Sequence, residues 1–187
     1  MKESNPVLTL AEYELKSRLK KAGALKRFKN GELKGLLAKN GGVAIVCGDG
    51  DIDAIDHHEK EVSHRPHCKT DFGGMLLLMP DYRGFSQVYA YGMVENIKFG
   101  FSAKQTRTVF AYFHYPCAAA EYHKHSFKDV LLMIANSRNT LIEKYGFQKV
   151  HVFLHVRRLT KDRGKKQNTY LVEIDILRKI IEEGGLE

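Results

Sequence analysis

Cysteine is scarce in this chain: there are three, Cys47, Cys68 and Cys117. An odd number, spread from position 47 to position 117, does not make a disulfide framework, so metal or reactive-thiol roles move up. Long apolar runs are lacking as well. The most apolar stretch, "GMLLLMP", is far too short to span a bilayer. The opening "MKESNPVLTLAEYELKSR" carries charges where a signal peptide needs an apolar core. The expectation is a soluble, cytoplasmic protein with no membrane partner. There is also no G-x-S-x-G, no Gly-rich phosphate loop and no H-E-x-x-H, which removes the usual signatures of a hydrolase elbow, a P-loop and a zincin helix. Neither an internal repeat nor a low-complexity linker is visible.

What the sequence does contain is enough for a core. Its 187 residues are 43% hydrophobic, and a chain of this size buries about two-thirds of its unfolded surface. A single domain over residues 1–187 is expected, with N-terminal helices in 1–40 and an α/β core in 41–187. Thirty basic against 22 acidic residues give a net charge of +8. The stretches "KSRLKKAGALKRFK" and "RRLTKDRGKK" hold most of the excess. With no aromatic-interleaved nucleic-acid motif beside them, both read first as solvated surface, and nucleic acid as the lesser alternative.

Periodicity gives an alternating order of elements. Leu10, Tyr13, Leu15, Leu19 and Leu25 fall at loosely helical spacing from Thr9 to about Phe28, and "GELKGLLAKNGG" supplies a second short helix stopped by Gly41 and Gly42. "VAIVCGD" is a continuous apolar run bounded by glycines, as in a strand buried on both faces. "GMLLLMPDYRG" and "TVFAYFHYPC" repeat that design, with a helix-containing crossover between them. "SFKDVLLMIANSRNTLIEKYGF" predicts a long amphipathic helix behind a Ser126 cap. "KVHVFLHVRR" alternates as a fourth strand, and "NTYLVEIDILRKIIEEGG" begins as a strand and ends as a helix. Strands alternating with helices predict an α/β fold: a mostly parallel central sheet flanked by helices.

In such sheets ligands collect at the carboxyl ends of strands. Cys47 closes the first predicted strand, and His114 and Cys117 stand three apart at the end of the third. If those strands are neighbours, the three side chains converge. Two thiolates and an imidazole are donors that zinc prefers, in a tetrahedron whose fourth position is left to water, substrate or a carboxylate. Asp49, two residues after Cys47, is placed to reach that position.

The pair "C-G-D" at 47–49 and "H-Y-P-C" at 114–117, each after a buried strand, resembles the zinc signature of the β-class carbonic anhydrases. The resemblance covers about residues 40–125. It implies a β-carbonic-anhydrase-like fold and a homodimer. It also implies a Zn2+ cofactor held by Cys47, His114 and Cys117, with Asp49 as the carboxylate that orients the catalytic water or itself binds the metal. The activity implied is the reversible hydration of carbon dioxide to bicarbonate. The family's arginine two residues beyond that Asp is replaced here by Asp51, which leaves nothing local to draw Asp49 from the metal and suggests a closed site. Arg65 or Arg83 is a candidate to restore the pairing. Ala118 also stands where the family normally has Gly. The alternative is a non-catalytic zinc-stabilised domain that binds an acidic partner or nucleic acid.

Other constellations are weaker. Counted from Asp49, an EF-hand loop needs Gly and Glu where Ala54 and Lys60 stand. "IDHHE", with His57 and His58, is like the DHH phosphoesterases only at motif level. His64, His67 and Cys68 read as a polar surface loop before a second metal cluster, and His123 and His125 as an exposed turn.

Overall fold

A computed structural model describes residues 8–27, 42–48, 67–71, 74–79, 82, 87–159 and 165–186. The first helix, α1 (Leu10–Lys21), starts at Thr9 with a reciprocal cap. The Thr9 hydroxyl accepts from the Glu12 N–H at 3.3 Å, and the Glu12 carboxylate accepts from the Thr9 N–H at 2.8 Å, so two amide donors left over at the helix start are satisfied. The predicted helix to Phe28 is too long by almost two turns. It stops at Lys21, Gly23 takes φ +84°, and Leu25–Lys26 become a two-residue strand, β1. The second helix predicted over 31–42 lies almost wholly outside the described residues.

The sheet is mixed and, among the described residues, has six strands: β1, β2 (Val43–Cys47), β3 (His67–Asp71), β4 (Thr108–Tyr115), β5 (Lys149–Leu159) and β6 (Lys165–Val172), in spatial order β1-β6-β5-β4-β2-β3. β5, β4, β2 and β3 run parallel; β6 pairs antiparallel with β5 and with β1. The α/β class is as the sequence predicts, with an antiparallel end added.

One strand was misplaced by the apolar-run criterion. "GMLLL" is a 3-10 helix (Gly74–Leu78), and the strand preceding it is the polar "HCKTD" of β3. A short apolar run cannot distinguish a strand from a buried helical turn. Among the described residues β3 stands at the sheet edge and pairs with β2 alone, so it needs no two-sided apolar pattern. His67 and Cys68 are therefore strand residues, not part of a surface loop.

The helices are α2 (Gln87–Lys104), α3 (Ala118–Tyr122), α4 (Phe127–Asn139) and α5 (Ile174–Glu182). α2 is the predicted crossover, burying Ala90, Met93, Val94 and Ile97. α4 carries a second reciprocal cap, Ser126 with Asp129, and buries Phe127, Val130, Leu131 and Ile134. A π-helical turn at Thr140–Lys144 follows, and the chain breaks at Gly146, φ +71°. Arg178 on α5 donates from Nε to the Ala135 carbonyl at 2.9 Å and ties the two helices together.

Val43, Ile45, Val109, Ala111, Phe113, Val150, Val152 and Leu154 join the helices in one core. The alternate residues, Ala44, Val46, Phe110, Tyr112 and Phe153, are also fully or nearly fully buried. Tyr112 and Phe153 stack across β4 and β5 at 4.8 Å. Two buried faces explain why β2 and β4 read as unbroken apolar runs.

The order of connections fixes where a site belongs. From β2 the chain moves outward to β3, returns through α2 to β4 on the other side of β2, and continues outward through α4 to β5. The direction reverses between β2 and β4, and the carboxyl ends at such a switch point form the usual ligand crevice of an open α/β sheet.

Candidate metal centre

Cys47 is the last residue of β2, and His114 is the penultimate residue of β4. β2 and β4 are paired neighbours, as convergence required. The β4 strand runs through His114 to Tyr115, one step further than the sequence suggested. Pro116 then turns the chain, and Cys117 holds the N-cap position of α3 in an extended conformation. The donor atoms of Cys47, His114 and Cys117 all lie within 4.8 Å of one another. The three residues are 3%, 3% and 1% exposed.

Two devices hold them. The Nδ1 atom of His114 is 3.1 Å from the Pro116 carbonyl oxygen, so Nδ1–H donates there and the lone pair falls on the buried Nε2. Gly74, at φ +44°, is pressed onto the end of β2. A Cβ there would sit 2.7 Å from the Cys47 nitrogen and 2.9 Å from its Cα, so only glycine lets the 3-10 helix lie against the strand end.

The electrostatics hold the Cys47 thiol in its protonated form. The Cys47 thiol is pushed far up, first by its hydrogen bond with Cys117, then by burial, while the nearby His114 pulls the other way. Tyr82 is pushed up to about 12, first by burial and then by its nearness to the sulfurs of Cys117 and Cys47. A cation between the sulfurs reverses this logic, since a coordinating thiol is deprotonated outright.

The donor set fits zinc. With Zn–S near 2.3 Å and Zn–N near 2.0–2.1 Å, tetrahedral donors stand about 3.5–3.8 Å apart, so a spacing within 4.8 Å asks for an adjustment of at most about 1.3 Å. Among the described residues no fourth donor joins the three. Asp49, proposed by the sequence for that position, lies outside the described residues, together with Asp51, His57, His58, His64, Arg65 and Arg83. The side chains of His67 and Cys68 do as well.

Tyr82 is the residue the sequence did not single out. It is 3% exposed and stands between the thiols and two histidines, its ring centroid 5.1 Å from His123 and 5.2 Å from His125. His125 is buried, so the predicted exposed turn is a packed corner instead. "DYRG" drew attention to its arginine; nothing in the spacing marked its tyrosine. Tyr115 donates its phenol hydrogen to Glu12 at 2.7 Å and so ties α1 to the strand that carries His114.

No family model matches the chain, and no curated protein and no solved structure matches it either. Among the described residues no helix is long and apolar enough to cross a membrane.

Proposed function

We propose that Cys47, His114 and Cys117 bind one zinc ion and that the chain catalyses the reversible hydration of carbon dioxide to bicarbonate, with a β-carbonic-anhydrase-like fold. The observation that carries the reading is the convergence of two thiols and an imidazole, distant in sequence, at the switch point of the sheet. Three protein donors with water in the fourth position is the pattern of catalytic zinc, and a fourth protein donor closes the site. Zinc bound there supplies a Lewis acid that lowers the pKa of water to about 7.

The chain's own residues set the conditions. Both thiols must lose their protons on loading, so binding releases protons and weakens as pH falls. Pro116 fixes the His114 tautomer through its carbonyl. Asp49 is the carboxylate that orients the water or takes the fourth position. With Asp51 where the resembling family has arginine, Asp49 is expected on the metal in the resting state. The same resemblance implies a homodimer, which light scattering of the zinc-loaded protein tests.

A second reading, a zinc-stabilised domain without catalysis, is favoured by the nearly complete burial of all three donors. Elemental analysis followed by stopped-flow hydration across pH 7–9 separates the two. One zinc per chain with hydration activity supports the first; zinc with no activity at any pH supports the second. No zinc at all removes both.

A further inference from the structure

The basic stretch that reads as solvated surface in the sequence is folded into a cleft. We propose that this cleft, between α1 and β6, binds a compact phosphate-rich anion of the di- or triphosphate class. Lys16 and Lys20 are four apart on α1 and share a face, with Lys21 beside them. The turn at Gly23 and the pairing of Leu25–Lys26 with β6 carry Arg27 back against the same face, where its Nη2 donates to Asn168 Oδ1 at 2.8 Å. The four cations line a cavity of about 350 Å³ in which, among the described residues, none of the lining is a carboxylate.

One of these cations is built in. Lys16 is only 6% exposed, and its Nζ stands 3.9 Å from the centroid of the Tyr13 ring. Among the described residues, Lys20, Lys21 and Arg27 make no ion pair with an acidic group. A larger cavity of about 680 Å³ near the end of α4 behaves differently. There Lys26 pairs with Glu173 at 3.7 Å and Arg138 with Asp175 at 3.6 Å, so two of its three lining cations, all but Lys149, face a carboxylate.

The chemistry of the ligand follows from what the cleft offers and what it withholds. The ammonium groups of Lys20 and Lys21 and the guanidinium of Arg27, which meet no acidic partner among the described residues, match the clustered oxygens of linked phosphates. Binding of an extended single strand needs open aromatic faces for its bases. Here one Tyr13 face is taken by Lys16, and Tyr170 is only 4% exposed. The size suits a short phosphate chain. This inference does not rest on the zinc reading.

Isothermal titration calorimetry on the full chain tests it, with inorganic tripolyphosphate, ATP and oligothymidylate as probes. The expected result is one saturable site for tripolyphosphate, weakened at least tenfold in Lys20→Ala/Lys21→Ala and in Arg27→Gln, and weakened by salt. Equal affinities for tripolyphosphate and ATP mean that the phosphates alone are read; tighter ATP binding means that the nucleoside adds contacts. Lys20, Lys21 and Arg27 are exposed, and circular dichroism of each variant checks its fold. The proposal is overturned if neither phosphate compound saturates, if the variants bind as the parent does, or if oligothymidylate binds the same residues more tightly than both.

Discussion

The metal cluster and the basic cleft are built in opposite ways. Cys47, His114 and Cys117 are gathered from three elements of the chain and buried, and the Cys117 hydrogen bond together with burial keeps the Cys47 thiol protonated. The cleft is mostly one helix and the turn after it, and three of its four cations are exposed. Neutral thiols in an apolar surround cannot hold charge until a cation arrives. Exposed ammonium groups carry theirs permanently and are screened by salt. The first kind of site couples to folding, and the second acts on whatever diffuses to the surface.

The largest expected effect breaks the cluster. Cys117→Ser removes one soft donor, and zinc content measured by elemental analysis should fall from one per chain to below about a tenth, with the metal-dependent part of the melting temperature lost as well. Retention of zinc by this variant would mean that the sulfur is not a ligand. Gly74→Ala should come next. The Cβ collides with the backbone at Cys47 and the residue sits at positive φ, so urea unfolding should show a loss of about 2–4 kcal/mol.

A third test concerns a half-buried imidazole that has no part in the cluster. His151, stacked on Phe110 at 5.5 Å, is pushed down to about 4 by burial, then by Lys149 and Arg138. Its folded pKa lies below its unfolded value of 6.5, so between those values the unfolded chain binds more protons. Stability from this group is complete above about pH 6.5 and is lost as pH falls toward 4. The His151→Phe variant should melt with a flatter pH dependence in that window, and an unchanged slope would remove the assignment. A smaller effect is expected from Thr9→Ala, which opens the reciprocal cap of α1 and should cost about 1 kcal/mol in the same unfolding measurement. Smallest of all, Lys20→Ala/Lys21→Ala should alter stability by no more than about 0.5 kcal/mol, because both cations are exposed and neither is paired with an acidic group among the described residues.

How much of this was legible in the sequence depended on whether a signal was local. Capping residues Thr9 and Ser126 and the alternation Val150, Val152, Leu154 against His151, Phe153, His155 are written in neighbouring positions, and each was read correctly. The cluster was legible because strand ends are marked by apolar runs, and donors placed just there have few other reasons to coincide. β3 was missed because an edge strand carries no apolar pattern. The end of α1 was missed because Leu25 keeps the helical spacing while its backbone has already joined the sheet. Tyr82 was missed because its place beside the thiols depends on a long-range approach that no spacing encodes. The same is true of the cleft, whose charge was visible and whose concavity comes from the turn at Gly23.

The central claim is that two thiolates and one imidazole grip a single divalent ion. Cobalt(II) titration into metal-free protein, followed by absorption spectroscopy, tests it directly. The account predicts one equivalent bound, with thiolate-to-cobalt charge-transfer bands and intense tetrahedral ligand-field bands, both weakened in Cys47→Ser and in Cys117→Ser. Weak octahedral bands without charge transfer, or a spectrum that neither substitution changes, would contradict it.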